Sequence, residues 1–262
     1  MSKILILGAR GSFGSHVVQQ AISANHEVSI MVRRLSSVPA EIRKKVVVYE
    51  ADIAEMTPFE LAAIFRNHDV VIDTAGSLAD GQVFINLTAR IVTGLESMRK
   101  KERPVCWFMA GIALLDLVEG GPRGVDLPLV RSTYWPHRVN YDRIRQTTLD
   151  WRILCPGPMV AEPPLGLARM RISLERLPVE MPTLTKFLPK ILALPFFAYR
   201  TPEMIISYSD AAALILANIA PNGEMSRYRI GLALPLGMRG RKNQWAAKPK
   251  SSSQNLQNIQ FE

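Results

Sequence analysis

Continuous apolar runs alternate with segments of helical periodicity along the first 155 residues of the chain. Six apolar runs predict strands, at residues 3–8, 27–34, 45–52, 68–76, 104–111 and 150–158. Between them, apolar side chains recur at helical spacing over residues 14–25, 58–67, 82–100 and 135–149. Strands that are apolar throughout and separated by helices are typical of a parallel sheet covered on both faces. The pattern predicts an α/β fold, a doubly wound parallel sheet of Rossmann type with the strand order 3-2-1-4-5-6.

The pattern changes after residue 158, where prolines recur and long regular elements become rare. Residues 169–175 predict a short strand, and residues 227–236 predict a late strand. Residues 209–219 predict a buried helix with Ser209 or Asp210 near its N-cap. This part of the chain is expected to form a small irregular lobe over the edge of the sheet.

The apolar stretch 186–199 contains two prolines, Pro189 and Pro195, which we expect to prevent an amphipathic helix. We interpret the stretch as a lid, as a wall of the substrate site or as the interface of a homodimer. The predicted organisation is a cofactor-binding core (1–158), a substrate or lid lobe integrated with it (159–240) and a disordered tail (241–262).

The net charge of +9 first suggests nucleic acid as a partner, but much of that charge lies near the C-terminus. Residues 241–262 are basic at first and then polar and low in complexity, so we expect a solvated tail and no nucleic-acid binding. Cys106 and Cys155 lie in apolar runs and are expected to be buried thiols in a reducing compartment. With neither an N-terminal signal nor an apolar run of about 20 residues, the chain is expected to be cytoplasmic, with no membrane span and no metal.

Three glycines spaced three residues apart, Gly8, Gly11 and Gly14, follow the first predicted strand and precede the first predicted helix. Glycine lets backbone N–H groups approach a pyrophosphate, and the helix N-terminus adds a favourable partial charge. The loop therefore predicts a dinucleotide site, and a ligand-free turn is the alternative. The predicted contacts from this loop are Gly8, Arg10, Gly11, Ser12, Phe13 and Gly14.

The end of the second predicted strand indicates which dinucleotide is bound. An NAD site would place Asp or Glu there, whereas this strand ends in Arg33 and Arg34. A guanidinium holds a 2′-phosphate by charge-assisted bonds, and Arg10 could close on the same group. NADP(H) is therefore favoured over NAD(H), although Arg34 could instead point into water.

Two further segments lie where the cofactor should pass. Asp52 and Ile53 follow the third strand, where a carboxylate can accept from the adenine amino group and an aliphatic side chain can cover the ring. An ordinary helix cap is the alternative for Asp52. Thr74, Ala75 and Gly76 follow the fourth strand, where small residues let the backbone lie against the ribose and pyrophosphate.

The glycine spacing, the basic end of strand 2, the Asp52–Ile53 pair and the stretch LDWRILCPGPM resemble the atypical short-chain dehydrogenases. Within that superfamily the chain is similar to the NmrA-like and biliverdin-IXβ/flavin reductase branch, over roughly residues 3–235. The resemblance implies an NADPH-binding Rossmann core with an acceptor site beside the nicotinamide. It also implies cofactor contacts at Ala110, Gly111, Pro156, Gly157, Pro158 and Met159.

The chain departs from the usual active site of this superfamily, which is a Tyr-x-x-x-Lys pair with an upstream Ser or Thr. Strand 5 ends in Met109, Ala110 and Gly111, with no hydroxyl, and Arg138 stands four residues after Tyr134 where the lysine would be. Arginine keeps the positive charge but does not exchange a proton.

The candidate catalytic residues are Tyr134, His137 and Tyr141. Trp135–Pro136 suits the first turn of a helix, which would place Tyr134 near the helix start and facing the cleft. His137 could donate a proton near neutral pH, and Tyr141, four residues on, could orient an acceptor. A purely structural histidine is the alternative.

These residues favour an NADPH-dependent oxidoreductase that transfers hydride to a flat or carbonyl-bearing acceptor, such as a flavin or quinone. Such acceptors need little from a protein acid, because solvent supplies the proton. One alternative is a non-catalytic, NAD(P)-sensing regulator of the NmrA-like type, which would retain the cofactor loop. Another is a nucleotide-sugar epimerase or dehydratase, which would need the missing proton-transfer pair.

Overall fold

The apolar runs form strands and the periodic segments form helices in the computed structural model of the chain, which describes residues 1–76 and 79–241. Within those residues the strands are β1 (Lys3–Leu7), β2 (Glu27–Val32), β3 (Val47–Glu50), β4 (Val70–Asp73), β5 (Val105–Met109), β6 (Trp151–Cys155), β7 (Met159–Val160), β8 (Arg171–Leu174), β9 (Ile206–Ser207) and β10 (Arg229–Ala233). The α-helices are α1 (Ser12–Ser23), α2 (Ala40–Arg43), α3 (Pro58–Phe65), α4 (Gly81–Glu96), α5 (Val130–Ile144), α6 (Lys190–Arg200) and α7 (Tyr208–Ala217).

The main sheet has the strand order β3-β2-β1-β4-β5-β6-β10-β8. Strands β1 to β6 pair in parallel, which confirms the predicted doubly wound sheet and its order 3-2-1-4-5-6. The two late strands extend this sheet, since β10 pairs in parallel with β6 and β8 pairs antiparallel with β10. A separate two-stranded parallel pair joins β7 to β9. Much of the segment after residue 158 is thus attached to the main sheet.

The sheet is buried on both faces because its central strands are apolar on both. In β1, Leu5 and Leu7 pack into one core together with α3, α4 and α5. Ile4 and Ile6 point the other way and pack with α1 and α7. Side chains alternate between the faces of a strand, so a two-sided core requires the unbroken apolar run that the sequence shows.

Helix α5 begins five residues earlier than predicted, at Val130 rather than at 135. Pro136 therefore lies inside the helix, and the prediction that it occupies the first turn is wrong. The buried Pro136 ring packs against Gly81 at the start of α4, where a Cβ would lie 2.7 Å from its Cγ. This contact between helices offsets the backbone hydrogen bond that proline cannot make.

Most of the stretch 186–199 lies in a helix, α6 (Lys190–Arg200), contrary to the prediction from its prolines. Pro189 stands at the N-cap, where no N–H is needed. Pro195 leaves the carbonyl of Ile191 without its helical partner, but Ile191 is exposed, so water can bond that carbonyl. In the next helix, α7, the N-cap is Ser207 rather than Ser209 or Asp210, and its Oγ accepts from the backbone N–H of Asp210 (2.9 Å).

Cys106 and Cys155 are buried and unpaired, as expected of packing residues. In the described part of the chain, no helix has both the length and the apolar character that crossing a bilayer requires. Nor do residues 1–76 and 79–241 contain a group of three or more His, Cys, Asp or Glu side chains that could hold a metal ion. The predicted tail lies outside the described residues except for its first residue, Arg241.

Candidate functional site

A cleft of ≈ 640 Å³ lies at the carboxyl ends of β1, β2, β3 and β4. This is the edge at which doubly wound sheets bind their ligands, and β1 and β4 flank the point where the strand order reverses. Ten residues predicted as cofactor contacts line the cleft: Gly8, Arg10, Gly11, Arg33, Arg34, Asp52, Ile53, Thr74, Ala75 and Gly76. The sequence analysis missed eight others: Ala9, Met31, Val32, Ser37, Ala51, Ala54, Val83 and Leu87.

The three loop glycines serve different purposes. Gly8 has a φ of +75°, and a Cβ there would lie 2.6 Å from the backbone nitrogen of Ala75. A Cβ on Gly14 would overlap the carbonyl oxygen of Gly8. For Gly11 the nearest protein atom, the Gly8 carbonyl oxygen, is 3.3 Å away. Packing within the protein thus requires glycine at 8 and 14, whereas Gly11 faces the cleft and leaves space there.

The N-terminus of α1 is arranged to receive an anion. Its N-cap is Gly11, which makes no side-chain cap, and its first turn holds no acidic residue. By contrast, α3, α4 and α7 are capped by Thr57, Asp80 and Ser207. The first-turn N–H groups of α1, on Ser12, Phe13 and Gly14, have no partner within the helix, and Gly11 is the residue by which this helix start lines the cleft. These donors, the helix dipole and the space beside Gly11 fit a pyrophosphate.

Three arginines line the same cleft, and all three are exposed: Arg10, Arg33 and Arg34. The Arg34 carbonyl accepts from Ser37 Oγ (2.6 Å), which fixes the loop after β2. The carboxylate of Glu50, at the end of β3, accepts from the Leu35 backbone N–H (2.7 Å) in that loop. This end of the cleft is therefore cationic, as a phosphate on the adenosine ribose would need.

Asp52 closes a turn with its own side chain, because its Oδ1 accepts from the Ala54 N–H (2.9 Å). It does not cap α3, whose cap is Thr57, so the alternative interpretation as a helix cap is wrong. Ile53 is buried against the core and also lines the cleft. Thr74 Oγ1 donates to the Leu7 carbonyl (2.7 Å), which ties the segment after β4 to the end of β1.

Asp73, the last residue of β4, is a buried carboxyl that the sequence analysis missed. Its Oδ1 accepts from the Ala75 N–H (3.0 Å) and so shapes the segment that lines the cleft. Burial raises the pKa of Asp73 to about 7. The sequence feature that could have identified Asp73 is the carboxylate at the end of the otherwise apolar run VVID, from which only a strand was predicted.

A wall of aromatic side chains connects the cleft to the candidate catalytic residues. Gly76 packs directly against the Phe84 ring on α4. Phe84 meets His137 edge-to-face, with ring centroids 5.5 Å apart, and His137 stacks on Tyr134. Both of these α5 side chains face Gly111, after β5. The structure therefore brings Gly76, Gly111, Tyr134 and His137 to one region.

His137 is buried, and burial lowers its pKa to about 4. This shift favours the neutral imidazole at neutral pH, and the role of His137 as a proton donor there stays a prediction. Its Nδ1 is buried and has no hydrogen-bond partner among the described residues. A neutral imidazole can still donate one hydrogen bond without changing its charge.

The Tyr141 side chain packs in a different place from Tyr134 and His137. The Arg229 guanidinium lies over its ring, 4.9 Å from the centroid, and Trp151 packs edge-on against it. Burial raises the pKa of Tyr141. Arg229 is itself bonded to Glu175 and Asp116, so Tyr141 belongs to a half-buried polar network around Arg229 on β10. Arg138 points to Asp126 (3.4 Å), so it does not stand in for the missing lysine beside Tyr134.

The turn after β6 is held in place mainly by contacts within the protein. The Pro156 carbonyl accepts from the Ile112 N–H (2.8 Å), and the Pro158 carbonyl accepts from the Ile206 N–H (3.2 Å). Gly157 packs against the Met204 carbonyl, which is the reason a side chain is excluded there. Met159 pairs with β9. These four residues, Ala110, Gly111 and the α1 residues Ser12, Phe13 and Gly14 do not line the cleft itself.

Comparisons with known proteins agree with this geometry. A protein-family model described as NAD(P)H-binding matches residues 8–178. An uncharacterised protein of Bacillus subtilis (strain 168), YwnB, is 28% identical over 161 residues, which cover 59% of this chain and 71% of YwnB. Among solved structures, a candidate NADH-flavin reductase of Streptococcus pneumoniae TIGR4 is similar at TM-score 0.65 and 18% identity, over 89% of this chain and 100% of that one. A candidate NAD-dependent epimerase/dehydratase of Bacillus halodurans is similar at TM-score 0.64 and 16% identity, over 89% and 94%. At these identities the structures share the fold.

Proposed function

Because the chain belongs to the NAD(P)H-binding family, we propose that it is an NADPH-dependent oxidoreductase of the atypical short-chain class. Its acceptor is flat or carbonyl-bearing, as in a flavin or a quinone. The nicotinamide supplies the hydride when the cofactor is bound, and the protein supplies binding and orientation.

The observation that carries this proposal is the cleft at which an uncapped helix N-terminus meets three arginines. The N-terminus of α1 and the space beside Gly11 would hold the pyrophosphate. Arg33, with Arg34 and Arg10, would hold a 2′-phosphate, which is the group that distinguishes NADPH from NADH. Asp52 and Ile53 would face the adenine.

The acceptor side follows from the aromatic wall. Tyr134 and the neutral His137 offer hydrogen-bond donors beside Gly111, and Phe84 excludes water from the same region. Donors of this kind orient a carbonyl and stabilise negative charge that develops on its oxygen. The proton that completes the reduction comes from solvent, so neither the Tyr-x-x-x-Lys pair nor a cationic histidine is needed. The similarity to a candidate flavin reductase agrees with such an acceptor.

One observation favours a second function, that of a protein which senses the cofactor without consuming it. Strand β5 ends without a serine or threonine, Arg138 rather than lysine stands four residues after Tyr134, and burial lowers the pKa of His137 to about 4. A sensor would bind NADPH and NADP⁺ with different affinities and would show no turnover.

Anaerobic mixing of the protein with NADPH and a panel of flavins and quinones tests the proposal. Nicotinamide fluorescence reports binding, and its decay reports hydride transfer. Binding followed by acceptor-dependent decay supports the reductase. Binding without decay on any acceptor moves the assignment to a sensor, and absence of binding contradicts both.

A further inference from the structure

Within residues 1–76 and 79–241, an apolar surface on α6 and the turn before it is left uncovered. Its members are large side chains that are all at least two-fifths exposed, and we call this set the α6 face: Leu184, Phe187, Ile191, Leu192, Phe196 and Tyr199. The helix buries only Ala193 and Phe197 against the core. A contiguous apolar surface of this kind marks a site of interaction.

The charge around the α6 face is predominantly positive. Residues 181–202 contain Lys186, Lys190 and Arg200 and no Asp or Glu. Arg200 pairs with Glu203 (2.8 Å), but that buried carboxylate is shared with a second arginine, Arg171 (3.0 Å), so the local excess is positive. Glu180 lies beside the face, on the rim of a neighbouring groove of ≈ 650 Å³.

The C-terminal part of the chain adds to this charge. Arg239 stacks over the Tyr199 ring at 4.5 Å and donates to the Tyr199 carbonyl (2.7 Å). The Gly240 N–H donates to the Pro202 carbonyl (2.8 Å), so the chain passes along the end of α6 as it leaves the described residues. The sequence that follows carries more cations and one tryptophan: Lys242, Trp245, Lys248 and Lys250.

We propose that the α6 face docks the protein on the surface of an anionic lipid bilayer. Apolar and aromatic side chains would enter the boundary between headgroups and acyl chains, and the flanking cations would meet anionic headgroups. This is surface attachment, since α6 is too short to span. A twofold contact with a second copy is disfavoured by charge, because it would bring two copies of the same net positive surface together.

Vesicle co-sedimentation of the full chain tests the proposal. Vesicles of phosphatidylcholine mixed with phosphatidylglycerol should carry the protein down, and pure phosphatidylcholine should carry down much less. Phe187→Gln with Ile191→Gln should lower the partition coefficient onto the mixed vesicles at least about tenfold, since burial of one large apolar side chain is worth about that factor in an equilibrium constant. Phe59→Gln is the matched control, because Phe59 on α3 is as exposed (78%) as Phe187 (77%).

Three results would overturn the proposal. The first is no binding to mixed vesicles. The second is binding that the double substitution leaves unchanged while salt abolishes it, which would assign the contact to the basic C-terminal sequence alone. The third is a dimer in sedimentation velocity that the double substitution dissociates, which would make the α6 face a subunit interface.

Discussion

The rings of Tyr134 and His137 stack with their centroids 6.0 Å apart and 23° between their planes. Both face Gly111, where a Cβ would lie 3.3 Å from His137 Nε2 and 3.4 Å from Tyr134 Cε1. They stand three residues apart on α5 and so share one side of it. The pair presents a phenol and a neutral imidazole beside the end of β5.

The neutrality of His137 has a kinetic consequence. Because burial lowers its pKa to about 4, we expect the rate of NADPH oxidation by an acceptor to show no inflection from this residue between about pH 5 and 8. Stopped-flow pH profiles of the wild type and of His137→Gln would measure this. An inflection near the ordinary histidine pKa that disappears in the variant would contradict the neutral assignment.

Tyr134 and Tyr141 should behave differently on losing their hydroxyls. Tyr134→Phe removes a donor beside Gly111 and should slow hydride transfer about tenfold, the factor expected for one hydrogen bond. Tyr141→Phe changes a residue packed under Arg229 and should leave the rate unchanged. Single-turnover rates at saturating NADPH give the comparison, and equal effects of the two substitutions would remove Tyr134 from the acceptor site.

Arg33→Asp should weaken NADPH binding by about 1–3 kcal/mol, the scale of a lost charge-assisted bond, and spare NADH. Arg43→Asp is the matched control, since it makes the same change of charge on α2, away from the residues that line the cleft. Fluorescence titrations with both cofactors at one ionic strength separate the two effects. Equal weakening of NADPH and NADH by Arg33→Asp would remove the 2′-phosphate contact.

The different surroundings of Gly11 and Gly14 predict opposite phenotypes. Gly11→Val should abolish binding of both cofactors, because the side chain fills the space beside the α1 N-terminus, while the free energy of unfolding changes by about 1 kcal/mol at most. Gly14→Ala should destabilise the fold by about 1–3 kcal/mol, because its Cβ would overlap the Gly8 carbonyl. Urea unfolding and fluorescence titration check the pair. Normal binding by a folded Gly11→Val protein would contradict the pyrophosphate site.

The fold could be predicted because its determinants are local. Each of the six core strands is a mainly apolar run, and the glycine loop marks β1, which lies beside the point where the strand order reverses. The start of α5 could not be predicted, since Pro136 is stabilised inside that helix by Gly81 on α4, 55 positions away in the chain. Helix α6 was missed because Pro195 was expected to break it, whereas Ile191, whose carbonyl Pro195 leaves without a helical partner, is an exposed residue.

The candidate site likewise has one part that could be predicted from the sequence and one part that could not. The cofactor cleft was predicted from motifs in which neighbouring residues share one ligand, such as Gly8 to Gly14 or Arg33 with Arg34. The aromatic wall depends on α4 meeting α5, which puts Phe84 against His137, and no local pattern encodes that contact. The neutrality of His137 also depends on this burial, so a sequence-based pKa was bound to be too high.

Asp73 should make stability depend on pH in a direction unusual for a carboxyl. Burial raises its pKa from 3.8 to about 7, so the folded chain keeps a proton that the unfolded chain has released. The contribution of Asp73 to the free energy of unfolding is fully present below pH 3.8 and is lost as the pH rises through 7. Asp73→Asn keeps the shape and an acceptor for the Ala75 N–H without the charge, so it should raise the free energy of unfolding at pH 8 by about 1–3 kcal/mol relative to the wild type. Below pH 4 the two proteins should be alike.

The opposite linkage of His137, whose lowered pKa costs stability as the pH falls below 6.5, is common to both proteins and cancels in the difference. Urea unfolding of both proteins at pH 5 and pH 8 measures the difference between their free energies of unfolding. A difference that does not grow with pH would show that Asp73 is ionised in the folded protein.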